Sequence, residues 1–589
     1  MKIPALLLPL LALLCAPARS AEFDPFSETP EAYNARAQWF RDAKLGVFLH
    51  WNPAVNCGGE ISWIRRQPMG DMPQVPAEVY DNLYRKFDPK KFDPKAWIDL
   101  LTEAGFRYAV VVPKHHDGFA MWPTSVPGRQ IMDTPFHRDY LKEFSDACRG
   151  TPVRFCLYYS ILDWSHPLYS ATGDITEYVE KVFKPHMKEL LTQYGPVGCV
   201  WFDGHWDASW THARARDMYA YLRRLQPETL LGNRIDQKSG GSPECAWTGS
   251  FFDGAPDPVG DYQAREMDVG RFYMKKAWDN CYNLRANPCG SWSWIRDDYN
   301  WPVRTRDDVL GKLIECIGRD GGLLLGLGPR EDGTIDREDA AALRTIGLWL
   351  KEHGDAVYGT RGGPWLPGPW GVSTRKGNRV FLFVQQLADG ALQLPSLPAR
   401  VVSARMLQGA PVGWEEKDGM LEIRIPRGRR NLAPAAIVEL TLDQDALALA
   451  PVSSATELNL AQGLAVEVSS FWPGREIKDL KPAHITDGVM GTIWASEEKA
   501  RSATVTLDLG RECTVHKVVF SDAPYRRTRS WAVEARVGDQ WRPLGEGTET
   551  NFSGDAEVRV PALKTCQIRL HIRDATDTPV LAELQVFGR

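Results

Sequence analysis

The chain has 589 residues, and single hydrophobic cores stop growing at roughly 250–300 residues, so several domains are expected. Its composition, 43% hydrophobic and 25% charged, excludes a disordered or fibrous chain. Lys and Arg total 70 against 75 Asp and Glu, a net charge of -5, which implies no polycationic surface for nucleic acid or anionic lipid.

In chain order, Lys2, the apolar run Ile3 to Leu14 and the small residues Ala16 to Ala21 have the three parts of a secretory leader, with cleavage expected after Ser20. The apolar run is short of the ~20 residues that span a bilayer, and no later segment reaches that length, so a secreted or periplasmic protein without a membrane span is predicted. Cysteines number 11, Cys15 among them, so an even number remains after cleavage, with no pairing readable from their spacing. Cys156 and Cys199 lie in apolar runs and read as buried thiols.

From about residue 40 to 355, short continuous apolar runs alternate with amphipathic stretches. The runs are 46–51, 109–113, 154–160, 198–203 and 229–234, and each reads as a buried parallel strand. Helical spacing fills Lys95 to Ala104, Thr176 to Tyr194 around Pro185, and Ala208 to Leu225. This alternation predicts an α/β fold, a (β/α)8-like barrel, over 21–356. A turn-rich linker at 362–369 then leads into alternating runs that predict a β-sandwich over 357–452. A second β-jellyroll unit is expected over 455–589.

Polar residues end the barrel runs: His50, Lys114 to Asp117, Asp163 with Trp164, Asp203, and Asn233 with Arg234. Loops at C-terminal strand ends converge over such a barrel, so all five clusters are expected at one pocket. Asp203, released from an apolar strand into a Gly turn, can attack an anomeric carbon or cap the next helix. His50, His115 and His116 could ligate a metal or bind sugar hydroxyls. No carboxylate–histidine spacing supports a metal, so none is expected. The 22 Trp fit either stacking platforms or large cores.

Five ordered motifs, Gly46 to Trp51, Lys114 to Phe119, Leu157 to Ser160 with Asp163-Trp164, Trp201 to Gly204, and Gly322 to Ile335, resemble the family 29 glycoside hydrolases, the α-L-fucosidases. The resemblance covers roughly residues 35 to 450. It implies retaining exo-hydrolysis of terminal α-L-fucose from fucosylated oligosaccharides or glycoconjugates, without a cofactor. Asp203 matches the nucleophile. His50, His115, His116, Tyr159, Trp201 and Arg234 match positions that hold the sugar. Trp63 falls where a pocket Trp is expected, although Ser62 replaces the Glu that usually precedes it, and Trp292 matches the aromatic that faces the C5 methyl. Glu266, in a stretch like Asp-Tyr-x-Thr-Pro-Glu-Gln whose Thr-Pro is Ala264-Arg265 here, is the expected acid/base; Glu244, Asp268 and Asp261 remain alternatives. Residues Asn459 to Gly588 resemble discoidin-like domains, β-jellyrolls that often bind galactose-type sugars and a structural Ca²⁺. There Asp487 and Trp494 match framework positions, while Tyr525, Arg526 and Arg527 are candidates for sugar contact. Another exo-hexopyranosidase, such as an α-L-galactosidase, and a catalytically silent glycan-binding protein are the alternatives.

Overall fold

The computed structural model describes residues 23–588 except 70–71, 237–258, 268, 270–271, 287–291, 297–301, 388–390, 408, 427–432, 455–457, 473–479, 489–491, 523–524 and 551–553. The leader, Glu244 and Asp268 therefore lie outside the described residues.

Eight strands form one parallel sheet: β1 (Leu45–Leu49), β2 (Tyr108–Val111), β3 (Arg154–Ser160), β4 (Cys199–Asp203), β5 (Leu230–Leu231), β6 (Tyr262–Glu266), β7 (Ala277–Asn283) and β8 (Gly322–Leu327). Their order is β5-β4-β3-β2-β1-β8-β7-β6, and a parallel bridge between Gly232 and Tyr262 brings the two edges together. The sheet thus nearly closes into a barrel, which removes most exposed strand edges.

Among the described residues, seven main helices surround it: α1 (Pro30–Ala43), α2 (Pro94–Glu103), α3 (Tyr140–Cys148), α4 (Lys184–Thr192), α5 (His212–Leu225), α6 (Arg306–Gly318) and α7 (Arg337–His353). Local chemistry sets their starts. Thr29, Asp93, Asp139, Thr211, Thr305 and Asp336 each accept a first-turn N–H, and Thr305 with Asp308 forms a reciprocal capping box. The stretch around Pro185 stays helical. A π-helical turn at Val179–Phe183 precedes α4 and places Pro185 in its first turn, where the missing N–H is tolerated.

Period-two alternation divides the barrel residues between two cores. Val47, Leu49, Ala109, Val111, Leu157, Val200, Phe202, Leu323 and Leu325 pack outward against the helices. Phe48, Tyr108, Val110, Cys156, Tyr158, Cys199, Trp201, Tyr262, Ala264, Cys281 and Leu324 fill the interior. Cys156 and Cys199 are buried free thiols. Trp51, next to His50 in sequence, is buried outside the wall against Phe87, Phe92, Trp97 and Tyr140.

Beyond the barrel, a five-stranded and a three-stranded antiparallel sheet cover residues 361–442. In Arg379–Val384, Val380, Leu382 and Val384 face the core between these sheets, while Phe381 and Phe383 pack with the barrel's helical shell. The last unit is antiparallel, dominated by long strands at Ala503–Ser521 and Asp555–Ala575 whose register shifts bend them. Trp494 is fully buried in its core, and Asp487 accepts a hydrogen bond from the Thr492 hydroxyl at 2.8 Å.

Candidate active site

The inward parity of the strands continues past their C-terminal ends and delivers the polar side chains to the barrel mouth. On β4, Trp201 and Asp203 share the inward face. Gly204 follows at φ 74°, a left-handed turn that favours glycine, and a Cβ there would stand 2.4 Å from Leu162. Asp203 retains 13% side-chain exposure and is held from three sides. The Tyr158 hydroxyl donates to its Oδ2 at 2.9 Å, Arg234 Nη1 donates to Oδ1 at 3.2 Å, and His116 Nε2 stands 3.5 Å from Oδ2.

Arg234 also donates through Nη2 to Glu266 Oε2 at 2.7 Å, so one guanidinium joins the carboxylates at the ends of β4 and β6. It stacks over Trp201 at 4.5 Å from the ring centre, and Trp201 in turn lies parallel to Tyr158 at 5.6 Å. Burial is the largest influence on Asp203 and raises its pKa to about 6; Arg234 opposes the rise, and the Glu266 charge adds to it.

The histidines are held neutral. Burial lowers His50 to about 3, and burial together with neighbouring cations carries His115 and His116 well below the ordinary value. Ser62 Oγ and Ser160 Oγ lie 2.7 Å from Nδ1 of His115 and His116 respectively, which fixes both rings. Ser62 also accepts the Asp117 N–H at 3.0 Å, so this serine serves as a bracket behind the pocket. His50 Nδ1, His116 Nε2 and Trp201 Nε1 are buried and have no hydrogen-bond partner among the described residues. Ligand-type atoms of His115, His116 and Asp203 lie within 4.8 Å of one another. Arg234 already holds Asp203, and its positive charge disfavours a divalent cation there.

Aromatic rings wall the mouth. Trp292 packs 5.6 Å from His50 and its backbone N–H donates to buried Glu60 at 2.9 Å. Gly326 leaves room for it, since a Cβ there would meet the Trp292 ring at 3.0 Å. Trp63 stands edge-on to His116 at 5.5 Å.

One predicted residue is turned away. Tyr159 lies on the outward face of β3, where it stacks on Phe183 at 4.9 Å and its hydroxyl meets His186 Nδ1 at 2.9 Å. The pocket tyrosine is Tyr158, one residue earlier, because adjacent strand residues point to opposite faces. Asp261 is also remote. It sits at the opposite end of β6 and accepts from Arg36, Tyr219 and the Leu231 N–H, each at 2.8 Å. The Asp163–Trp164 cluster divides: Trp164 packs 5.1 Å from His116, whereas Asp163 accepts backbone N–H groups of its own turn and lies 3.5 Å from buried Lys114, behind the wall.

The α-L-fucosidase family model matches residues 11–355, more than half of the chain. The chain belongs to the α-L-fucosidase family. Human tissue α-L-fucosidase is 29% identical over 429 residues, covering 67% of this chain and 86% of that protein. The family 29 α-L-fucosidase of Bacteroides thetaiotaomicron superposes with a TM-score of 0.62 at 25% identity, over 69% of this chain and 95% of that one. The α-L-fucosidase of Vibrio sp. strain EJY3 covers 94% of this chain and 98% of its own, with a TM-score of 0.65; at 20% identity it shows the fold alone, C-terminal β unit included. The Bacteroides enzyme has also been seen as a trapped covalent intermediate with 2-fluoro-fucosyl fluoride, in a glutamate-to-glutamine mutant. This α-L-fucosidase is therefore a glycoside hydrolase. Besides Tyr158, the motifs gave no separate role to Ser160, Glu60 or Gly326. The register of β3 against β4 identifies Tyr158, whereas Ser160, Glu60 and Gly326 act through contacts between residues far apart in the sequence, which leave no local signal.

Proposed function

We propose that this α-L-fucosidase is a retaining exo-enzyme in which Asp203 is the nucleophile and Glu266 the general acid/base. The observation that carries this reading is the Arg234 guanidinium joining both carboxylates, 3.2 Å from Asp203 and 2.7 Å from Glu266. Two carboxyl groups flanking one site are the equipment of glycoside hydrolysis. An ionised Asp203 oxygen attacks the anomeric carbon as its bond to the leaving oxygen breaks, and Glu266 gives that oxygen its proton. Glu266 then takes a proton from water, the water oxygen attacks the same carbon, and Asp203 departs. Two inversions give net retention. Arg234 restrains both carboxylates, and the Tyr158 hydroxyl steadies the charge on Asp203 between turnovers.

His50, His115, His116 and Trp201 present buried polar groups to the sugar's hydroxyls, and unsatisfied groups of that kind gain most from a fitting partner. Trp292 and Trp63 offer apolar faces, Trp292 beside His50, where a methyl in place of a hydroxymethyl loses no hydrogen bond. The reaction draws on these side chains without a metal. The leader supports export to a secreted or periplasmic location. The C-terminal unit over 455–589 is proposed to be a discoidin-like module for glycans, with Tyr525 half exposed and stacked against Arg527 at 4.7 Å as a contact point and a structural Ca²⁺ as its cofactor. The substrates are fucosylated oligosaccharides and glycoconjugates.

Proton NMR of the first product formed from 4-nitrophenyl α-L-fucoside tests the mechanism. Initial release of α-fucose supports it, and initial β-fucose would refute the covalent route. A matched α-L-galactoside should react far more slowly.

A further inference from the structure

Beyond the fucose pocket, the rim carries a charge that the reaction does not use. The one-turn helix Trp63–Arg66 sets Trp63 and Arg66 three residues apart, hence on one side of the turn. Both meet Trp164. The Trp63 ring stands edge-on to it at 5.1 Å, and the Arg66 guanidinium lies over its face at 4.7 Å. Trp164 in turn packs 5.1 Å from His116, the ring that stands beside Asp203, and Trp206 closes on His116 from another side at 5.5 Å. Stacking on Trp164 holds the guanidinium at the mouth, and its charge is felt at His116 and at Asp207.

The neighbouring arginine shows the contrast. Arg65 is bound by Asp81 at 2.8 Å through two donors. Arg66 is exposed and has no ion pair or hydrogen bond with any described residue, so its donors face solvent at the mouth. The nearby Asp207 carboxylate accepts from the Tyr169 hydroxyl at 2.9 Å. A guanidinium held by its face and open at its edge suits bidentate recognition of a planar or tetrahedral anion.

We propose that Arg66 and Trp164 form a leaving-group subsite that selects glycans whose fucose-bearing sugar carries an anionic substituent, a sulfate ester or a carboxylate. This rests on the fucosidase reading, which places Asp203 and His116 at the sugar being released. The leaving sugar stacks along the Trp164–Trp206 rim while its anion meets the guanidinium fork.

The test compares kcat/KM for two matched pairs of fucosides in the linkage the enzyme cleaves best: fucosyl-N-acetylglucosamine with and without a 6-sulfate, and fucosyl-glucuronic acid against fucosyl-glucose. At low salt the charged member of at least one pair should be preferred by about tenfold, the size of one partly exposed charge-assisted contact. The preference should shrink near 1 M salt, where the screening length is about 3 Å. Arg66→Gln should bring the ratio close to one, and Arg66→Lys should keep part of it. The pair that responds identifies the anion as sulfate or carboxylate. A ratio at or below one for both pairs in the parent, or a ratio unchanged in Arg66→Gln, would overturn the proposal. Titration of the same pairs into Asp203→Asn protein reads the preference as affinity, so charged glycans that bind without parent turnover would count against the fucosidase reading and not the subsite. Absence of binding to either pair would overturn the subsite too.

Discussion

At the N-terminal end of β6, Asp261 is saturated by Arg36, Tyr219 and a backbone N–H, with Arg223 3.5 Å away. Burial pushes its pKa up, but the two arginines and these hydrogen bonds more than offset that, and the net position is below the ordinary carboxylate value. At the mouth, Asp203 is more open than Asp261, one guanidinium is shared between it and Glu266, and its pKa stands at about 6. Both ends bury carboxylates against arginine. The difference lies in the ratio: at the bottom two arginines surround Asp261 with Glu28 alongside, whereas at the mouth one cation restrains two acids. A saturated carboxylate fastens α1 and α5 to the barrel. An undersaturated one is poised to react.

The largest effect should come from exchanging the two sites' losses. Asp203→Gly should lower kcat on an aryl α-L-fucoside by 10³-fold or more, on the order of a lost nucleophile, while the melting temperature stays at or above the parent's because a poorly solvated charge has gone. Asp261→Ala should do the reverse, costing about 3–5 kcal/mol of stability by stranding Arg36 and Arg223 while the folded fraction keeps its kcat. Calorimetry beside initial rates decides it. An inactive but stable Asp261→Ala protein would break the comparison.

Next in size is Glu266→Ala, expected to lose roughly 10²–10⁴-fold on poor leaving groups. Azide should restore turnover of an activated aryl fucoside as α-fucosyl azide, because a small anion can reach the fucosyl-enzyme where the carboxylate stood, and its attack is the second inversion. A rate insensitive to both the substitution and azide would exclude Glu266 as acid/base.

How much of this was legible in the sequence follows from which interactions are local. Parallel strands announce themselves as continuous apolar runs, so the barrel, the strand ending at Asp203 and the histidine-bearing ends of β1 and β2 could be read directly. The same runs hide parity: in Leu157-Tyr158-Tyr159-Ser160 either tyrosine is apolar enough for either core, and only the register, Tyr158 beside Trp201 and Ser160 beside Asp203, assigns Tyr158 to the interior. Trp51 shows the same parity, since it follows His50 directly and so leaves by the opposite face. The Arg234 bridge was not readable, because it depends on closing β5 near β6 across a long intervening segment. Tyr158→Phe against Tyr159→Phe sharpens this point. Tyr158→Phe should lower kcat/KM about tenfold by removing a donor to Asp203, and Tyr159→Phe should cost only about 1 kcal/mol of stability through its lost bond to His186.

The mouth's electrostatics also fix a pH dependence. Asp203 must be ionised to attack, so kcat/KM of the free enzyme should fall as pH drops below about 6. The shift is upward, and the nearby Glu266 charge contributes to it. Glu266→Gln removes that charge while keeping the shape, so the acid limb, measured on a substrate whose leaving group needs no proton, should move to lower pH. The variant isolates the part of the limb due to Asp203 alone. The same raised value acts on stability. Between the ordinary carboxylate value and about 6 the folded chain holds a proton that the unfolded chain has released, so this site's contribution to stability declines as pH rises through that window. Asp203→Asn removes the decline, and its gain in melting temperature over the parent should be larger at pH 7 than at pH 4. A gain independent of pH would show that the carboxylate at the mouth is as well compensated as Asp261, and the contrast between the two ends of the barrel would then reduce to position alone.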